Sequence, residues 1–270
     1  MRTKIEWCDE TFNPTTGCIN NCPYCYARKI AMRFDGHFNP TFHLKRLEDG
    51  MARYMKMRKS VSVFLGSMTD ILQETHYKEG DACDLSFRNG QQVIIKILRF
   101  CWYFNKERMK LSMPPHNWIF LSKLSDRFEI LNTIPHAFEP NNYWGITIDH
   151  PYDCSPSARS ILDMKKLKNF FISFEPVQWE EDLPANGYRK LTPSVRELTK
   201  KSCCNIIGVE TGNRKDKFVP APDELVEFIR DVDTFSGKIF LKDSIYQTSI
   251  MDRLADKNIA RTRYLPWRAE

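Results

Sequence analysis

The chain predicts an α/β fold, a partial (β/α)6-type barrel of six or seven parallel strands. Two observations point there. Short β-branched and aromatic runs alternate with segments long enough for a crossover helix, and parallel strands require such crossovers. Nearly every strand-like run also ends in polar or charged residues, and in barrels of βα units those ends face one shared mouth. At 270 residues the chain suits a single domain spanning 1–270, with a loop or helix insertion around 73–116 and no linker dividing it.

Taken in order, a first strand-like segment leads into Cys18, Cys22 and Cys25. Pro23 stands where a first helical residue would, so Tyr24 to Arg33 reads as helix. Leu44 to Arg58 follows, with Leu44, Leu47, Met51, Tyr54 and Met55 at helical spacing. Val61 to Gly66 reads as a buried strand, and Gln73 to Gly90 as a polar, irregular loop. Gln91 to Asn105 is apolar throughout and suits a buried helix, with a strand start as the alternative.

Five further strand-like runs are Trp118–Ser122, Tyr143–Ile148, Phe170–Ser173, Asn205–Val209 and Lys238–Leu241. Helical segments separate most of them: Arg127–Leu131, Ala158–Leu167, Val195–Lys201 and Asp223–Val232. Ser155-Pro156 and Pro222 mark helix starts, while Pro184 and Gly187 mark a loop. The polar strand ends are Ser67, Thr69 and Asp70, then Lys123, Ser125, Asp126 and Arg127, then Thr147, Asp149 and His150. Ser173 and Glu175, Glu210, Thr211 and Asn213, and Lys242-Asp243 complete the series.

The cysteines have the spacing C-x-x-x-C-x-x-C, so three thiols can converge on one inorganic centre. At a helix start, exposed N–H groups and the helix dipole favour negative charge. A thiolate-bound iron–sulfur cluster is such an anion, and three cysteines leave one iron of a four-iron cluster open for chemistry. Zinc also takes clustered cysteines, but a structural site wants four ligands, and the fourth candidates Cys8, His37 and His43 lack finger-like spacing. Idle thiols are the third alternative.

Composition narrows the setting. Nine cysteines, an odd number with three in one motif, suit a reducing compartment better than a disulfide framework. No apolar run approaches the roughly 20 residues of a membrane span, and the first residues have no apolar signal core. The expected setting is the cytosol, with no membrane partner. The formal charge of +6 is compatible with nucleic acid or an anionic substrate without being diagnostic. The Lys56–Lys59 and Lys165–Lys168 clusters read as solvated helix faces, and Trp102, Tyr103, Tyr143 and Trp144 as core rather than base-stacking rings.

The three-cysteine spacing, with an aromatic Tyr24 before the last cysteine, resembles that of radical S-adenosylmethionine (SAM) enzymes. Ile5-Glu-Trp-Cys-Asp9, Thr11-Phe-Asn-Pro14, Gly17-Cys18 and Tyr24-Cys-Tyr-Ala27 resemble the bacteriophage gene-product thirty-seven/sixty-eight family, distantly similar to spore photoproduct lyase. Gly66-Ser-Met-Thr-Asp70, Leu121-Ser-Lys123, Gly145-Ile-Thr-Ile148, Ser173-Phe-Glu-Pro176, Gly208-Val-Glu-Thr-Gly212 and Phe240-Leu-Lys242 extend the likeness over most of the chain. The sixth element commonly reads Gly-Gly-Glu-Ser-Gly, and here Val209 and Thr211 depart from it.

The resemblance implies a barrel of the radical SAM type and a [4Fe–4S] cluster on Cys18, Cys22 and Cys25, whose open iron chelates SAM. It implies an external electron donor and reductive cleavage of SAM to start radical chemistry on a substrate. The phage association and slight basicity suit nucleic acid or a nucleotide as that substrate. Tyr24 is then expected near the adenine. Ser67, Thr69 and Asp70 belong to a strand-end element suited to the methionyl group, and Lys123 suits its carboxylate. Thr147, Glu175 and Glu210 are candidates for ribose or substrate contacts. For Lys123 and Glu175 the alternative is a salt bridge between strand ends. For the whole chain it is a cluster- or zinc-binding protein that binds nucleic acid or a protein partner without SAM turnover.

Overall fold

The apolar runs become strands where β-branched and aromatic side chains are covered on both faces, as parallel sheets require. A computed structural model describes residues 3–79, 87–152, 158–179, 190–211, 215–246 and 265–268. The helix start at Ser155-Pro156, the loop at Pro184 and Gly187, the strand-end residue Asn213 and the cysteines Cys83 and Cys154 lie outside these residues. The chain divides into two compact units, Met1–Trp144 with Glu270, and Gly145–Ala269.

The first unit contains, in order, β1 (Glu10–Phe12), β2 (Thr15–Thr16), α1 (Tyr26–Phe34), β3 (Thr41–Phe42), α2 (Leu44–Met55), β4 (Ser62–Leu65), β5 (His76–Glu79) and β6 (Phe87–Asn89). It continues with α3 (Gly90–Lys110), β7 (Asn117–Ser122) and a 3-10 helix over Ser125–Thr133. Strand β8 (Asn142–Thr147) runs across the boundary. The pairs β1–β4 and β4–β7 are parallel, with Phe12 opposite Leu65 and Leu65 opposite Phe120. Their core is aromatic: Trp7 lies 4.7 Å from Phe64 and Trp144 stacks on Phe120 at 4.4 Å, centroid to centroid. Helix α3 buries Val93, Ile94, Ile97, Leu98 and Cys101, and a capping box at Asn89 and Gln92 starts it.

The second unit holds α4 (Ala158–Leu162), β9 (Phe170–Phe174), α5 (Pro193–Lys201), β10 (Cys204–Ile207), α6 (Pro222–Ser236), β11 (Ile239–Leu241) and α7 (Asp243–Tyr246). Pairs β9–β10 and β10–β11 are parallel. Strand β8 neighbours β7 on one side and β9 on the other, so the described residues give an α/β arrangement with seven parallel strands in the order β1-β4-β7-β8-β9-β10-β11. That strand number agrees with the expectation. Among the described residues no helix is long and apolar enough to cross a membrane.

Four local expectations need correction. Helix α1 begins at Tyr26, because Cys25 is extended at φ −62°, ψ 106° and acts as its N-cap. The stretch expected as a loop from Gln73 to Gly90 contains β5 and β6, which join β2 and β3 in a second, four-stranded sheet. The expected helix Arg127–Leu131 is a longer 3-10 segment. Finally, α4 stops at Leu162, where Lys201 donates to the carbonyls of Ile161, Leu162 and Met164 and satisfies the helix end.

Candidate functional site

The cysteine loop begins with a backbone that only glycine accommodates. Gly17 has φ +84°, and a Cβ there would lie 2.0 Å from the Asn39 carbonyl oxygen. Its N–H donates to the Met68 carbonyl at 2.9 Å, which ties the loop to the end of β4. Cys18, Cys22 and Cys25 follow, all half-buried. The Cys25 sulfur accepts from the Arg28 N–H at the start of α1, and the Cys18 sulfur from the Asn20 N–H, both at 3.4 Å. Cys18 and Cys25 rest on the same small core of Ala27, Ala31 and Phe38.

Burial pushes the Cys18 thiol up to about 11. The N–H groups of Asn20 and Asp70 oppose that rise, while the charges of Asp70 and Cys22 add to it. The thiol therefore stays protonated at neutral pH until an electrophilic centre displaces the proton.

Residues just past β4 hold the loop from beneath. The Gln73 amide nitrogen donates to the Gly17 carbonyl at 3.1 Å, the Thr69 hydroxyl at 2.9 Å and the Tyr77 hydroxyl at 2.7 Å. Its amide oxygen accepts from the Ile19 N–H at 2.9 Å. Thr69 also donates to the Gly17 carbonyl, at 2.7 Å. Tyr77 belongs to β5, so the small second sheet anchors this arrangement.

Asp70 is buried and receives four donors: the Ser122 hydroxyl at 2.6 Å, the Lys123 N–H at 2.9 Å, the Asn20 side chain at 3.0 Å and the Leu72 N–H at 3.1 Å. Burial raises its carboxyl, and the bonds from Ser122, Lys123 and Leu72 oppose the rise. Asp70 thus connects the cysteine loop to the end of β7. Ser67 exchanges hydrogen bonds with the Asn13 side chain at 3.0 and 3.1 Å, and its carbonyl accepts from Tyr26 at 2.7 Å. Lys123 reaches the other way, with its ammonium bonded to the Tyr24 hydroxyl and 4.8 Å from that ring's centroid.

The first unit thus gathers Tyr24, Ser67, Thr69, Asp70 and Lys123 around the cysteine loop. Ser67, Thr69 and Asp70 spend hydrogen bonds within the chain, holding the loop and the ends of β4 and β7. Thr147, Glu175 and Glu210 belong to the second unit, Thr147 half-buried at the end of β8 and Glu175 just past β9. Glu175 forms an ion pair with Lys242, the alternative considered for it from sequence. Gly208 leaves room for that pair, since a Cβ there would meet Lys242 at 2.9 Å and Glu175 at 3.4 Å.

Among the described residues, no three His, Cys, Asp or Glu side chains are gathered as the ligands of one metal ion. A cluster places its thiolates on different irons and spaces them more widely than one ion does. Of the fourth-ligand candidates, Cys8 is buried and its thiol faces the Ile5 carbonyl. His43 bonds Thr16, and His37 is exposed. The described cysteines form no disulfide.

Sequence reasoning missed Gln73, Asn13 and Asn20, which hold the loop, and Arg28, which donates to the Asn20 carbonyl at 3.2 Å. Neutral amides carry no spacing signature. The available hint was their position, flanking the cysteines or directly following Thr69 and Asp70.

A family model described as "Protein of unknown function (DUF5131)" matches residues 2–81, the stretch that contains the cysteine loop, β4 and Gln73. No curated protein and no solved structure matches the chain.

Proposed function

We propose that this chain is an iron–sulfur enzyme of the radical SAM kind, with Cys18, Cys22 and Cys25 as the ligands of a [4Fe–4S] cluster and an external electron donor as partner. One observation carries the reading. Three half-buried thiols lie within eight residues, the last of them the N-cap of α1, and the sulfurs of Cys18 and Cys25 accept main-chain N–H groups. The resemblance of the flanking segments to three-cysteine-motif proteins supports it, as does the number of parallel strands. Such a cluster, when bound with SAM, supplies one-electron reductive cleavage and hence a radical for hydrogen abstraction.

The chain's own residues supply position and charge. Asp70, Gln73 and Thr69 fix the loop, so the thiols need not be ordered when ligands bind. Lys123, half-buried beside Tyr24, offers a fixed cation for a carboxylate, and the Tyr24 ring offers a face for a planar base. Thr147, Glu175 and Glu210 are assigned to ribose or substrate contacts on the sequence pattern alone. A reducing cytosol is the setting in which these thiols persist.

The decisive test is anaerobic loading with iron and sulfide, followed by dithionite and SAM. Wild type should turn brown, bind about four irons per chain and release 5′-deoxyadenosine, and Cys22→Ala should do none of the three. A fully loaded chain that leaves SAM intact would reduce the reading to a cluster-binding protein. Stoichiometric zinc with no iron uptake would replace it with a zinc protein.

A further inference from the structure

The exposed face of α1 carries an unusual load for a water-facing helix. Among the described residues, nine large apolar side chains are exposed, and five of them (Ile19, Tyr26, Ile30, Met32 and Phe34) fall on the cysteine loop and α1. Tyr26, Ile30 and Phe34 recur every fourth residue and so form one stripe, about 12 Å long at helical rise. Phe34 is 75% exposed and Tyr26 51%. Lys29 and Arg33 are exposed and lie three residues on from Tyr26 and Ile30, beside the same stripe.

Charge singles out the same stretch. Residues 18–46 contain Arg28, Lys29, Arg33, Lys45 and Arg46 against Asp35 alone, a net charge of 5 − 1 = +4. The whole chain carries 40 − 34 = +6, so about a tenth of the residues supplies most of the excess. The surface continues onto α2 through contacts rather than sequence alone. Tyr26 bonds the Ser67 carbonyl, Ser67 bonds Asn13, and the Asn13 carbonyl accepts from Arg46 at 3.1 Å.

We infer that this face, from Phe34 along α1 to Arg46, docks a single strand of nucleic acid. Exposed rings interleaved with cations suit it, because bases stack on aromatic faces while phosphates meet Lys and Arg without regard to sequence. Arg33 lies 5.7 Å from the Phe34 ring centroid and extends that flat surface. A strand held here passes beside Cys25, the N-cap of the same helix. What the strand is brought to rests on the reading above, but the docking does not.

The test is fluorescence anisotropy of the full chain, loaded and unloaded, with labelled 20-nucleotide single strands of DNA and of RNA and with a duplex. Single strands should bind in the micromolar range at 50 mM salt and at least tenfold more weakly at 200 mM. Lys29→Glu with Arg33→Glu should weaken binding at least tenfold and Phe34→Ala about fivefold. Tyr103→Ala should change nothing, since that ring, expected in the core, is instead exposed on α3, away from this face. No binding at low salt, or binding indifferent to the α1 variants, overturns the proposal. So does equal, α1-dependent binding of polyglutamate, which would make the face a dock for acidic protein. SAM cleavage in the same preparations separates the two claims: cleavage without strand binding sinks only the docking surface, and strand binding without cleavage sinks only the enzyme.

Discussion

Two buried polar networks lie at opposite ends of the β4–β7 pair in the first unit. At the N-terminal ends, Arg108 donates to the carbonyls of Pro114 at 2.9 Å, Tyr54 at 3.0 Å and Lys59 at 3.4 Å, and also to that of Met57. His116 accepts from the Val61 N–H at 3.2 Å and faces the Tyr54 carbonyl at 3.0 Å, while Asn105 brackets its backbone. At the C-terminal ends, Asp70 and Gln73 do comparable work on the cysteine loop. The first network is spent on backbone and presents no chemistry to solvent. The second holds a loop that carries thiols, and beside it Lys123 and Tyr24 remain half-exposed. Burial and dense hydrogen bonding therefore do not identify a site. What a network holds in place does.

The sharpest way to break this comparison is to remove the cation of the first network. Arg108 is fully buried, and its guanidinium faces carbonyls near the C-terminal end of α2, where a positive charge is favoured. Arg108→Met leaves those carbonyls without their donors and should cost about 3–5 kcal/mol. Urea denaturation should show the loss in the midpoint with little change in slope, and iron uptake by the folded fraction should match wild type. A loss under about 1 kcal/mol would show that water replaces the guanidinium.

The same network sets an acid limit. His116 is fully enclosed, and with one nitrogen accepting and the other facing a carbonyl it is held neutral. Burial lowers it to about 4. Its contribution is complete above about 6.5, where the unfolded chain is also neutral, and fades as pH falls toward 4. The full loss is about 3 kcal/mol. Unfolding free energy followed from pH 7 to 4 should fall accordingly, and His116→Phe should flatten that part of the profile.

These particulars also explain what was legible beforehand. The strands β4, β7, β8, β9, β10 and β11 were readable because each is a short apolar run bounded by polar residues, a signal that survives in one dimension. Helix α2 was readable through Leu47, Met51 and Tyr54, all buried as their spacing requires. The second sheet was not, since β2 and β3 have two residues each and β5 reads His-Tyr-Lys-Glu, which shows no clear alternation. In the site, thiols at fixed spacing and charges at strand ends were visible. Their division of labour was not: Asp70 is identical in sequence whether it faces a ligand or Ser122, and Gln73 acts through partners on three separate segments.

On the cysteine side, Asp70→Asn tests whether the negative charge matters or only the shape. The amide retains one acceptor oxygen and turns an NH2 group toward donors such as the Lys123 N–H or the Ser122 hydroxyl. The expected cost is about 2–3 kcal/mol, from donors left buried and unmet. Unlike Arg108→Met, it should also reduce iron loading, because Asn20 within the cysteine loop loses its partner. Full loading in a destabilised Asp70→Asn chain would place the two networks in the same structural class.

The smallest change in stability should come from Gln73→Leu, and it is the most discriminating. Leucine matches the volume but forfeits the bonds to Gly17, Ile19, Thr69 and Tyr77, for an expected cost of about 1–2 kcal/mol. The larger effect belongs on Cys18. Its thiol is held up at about 11 by burial, so a loop that opens moves it back toward an ordinary cysteine. Complete release would raise its thiolate fraction at pH 8 about a hundredfold. Partial release should speed iodoacetamide labelling of Cys18 at least tenfold, read by peptide mass spectrometry, while Cys101 in the core of α3 stays protected. Restoring a side-chain amide with Gln73→Asn should recover little, since the shorter chain cannot reach both Gly17 and Tyr77. If Cys18 labelling is unchanged in Gln73→Leu, the loop is held by Asp70 and Gly17 alone, and the second sheet has no part in presenting the thiols.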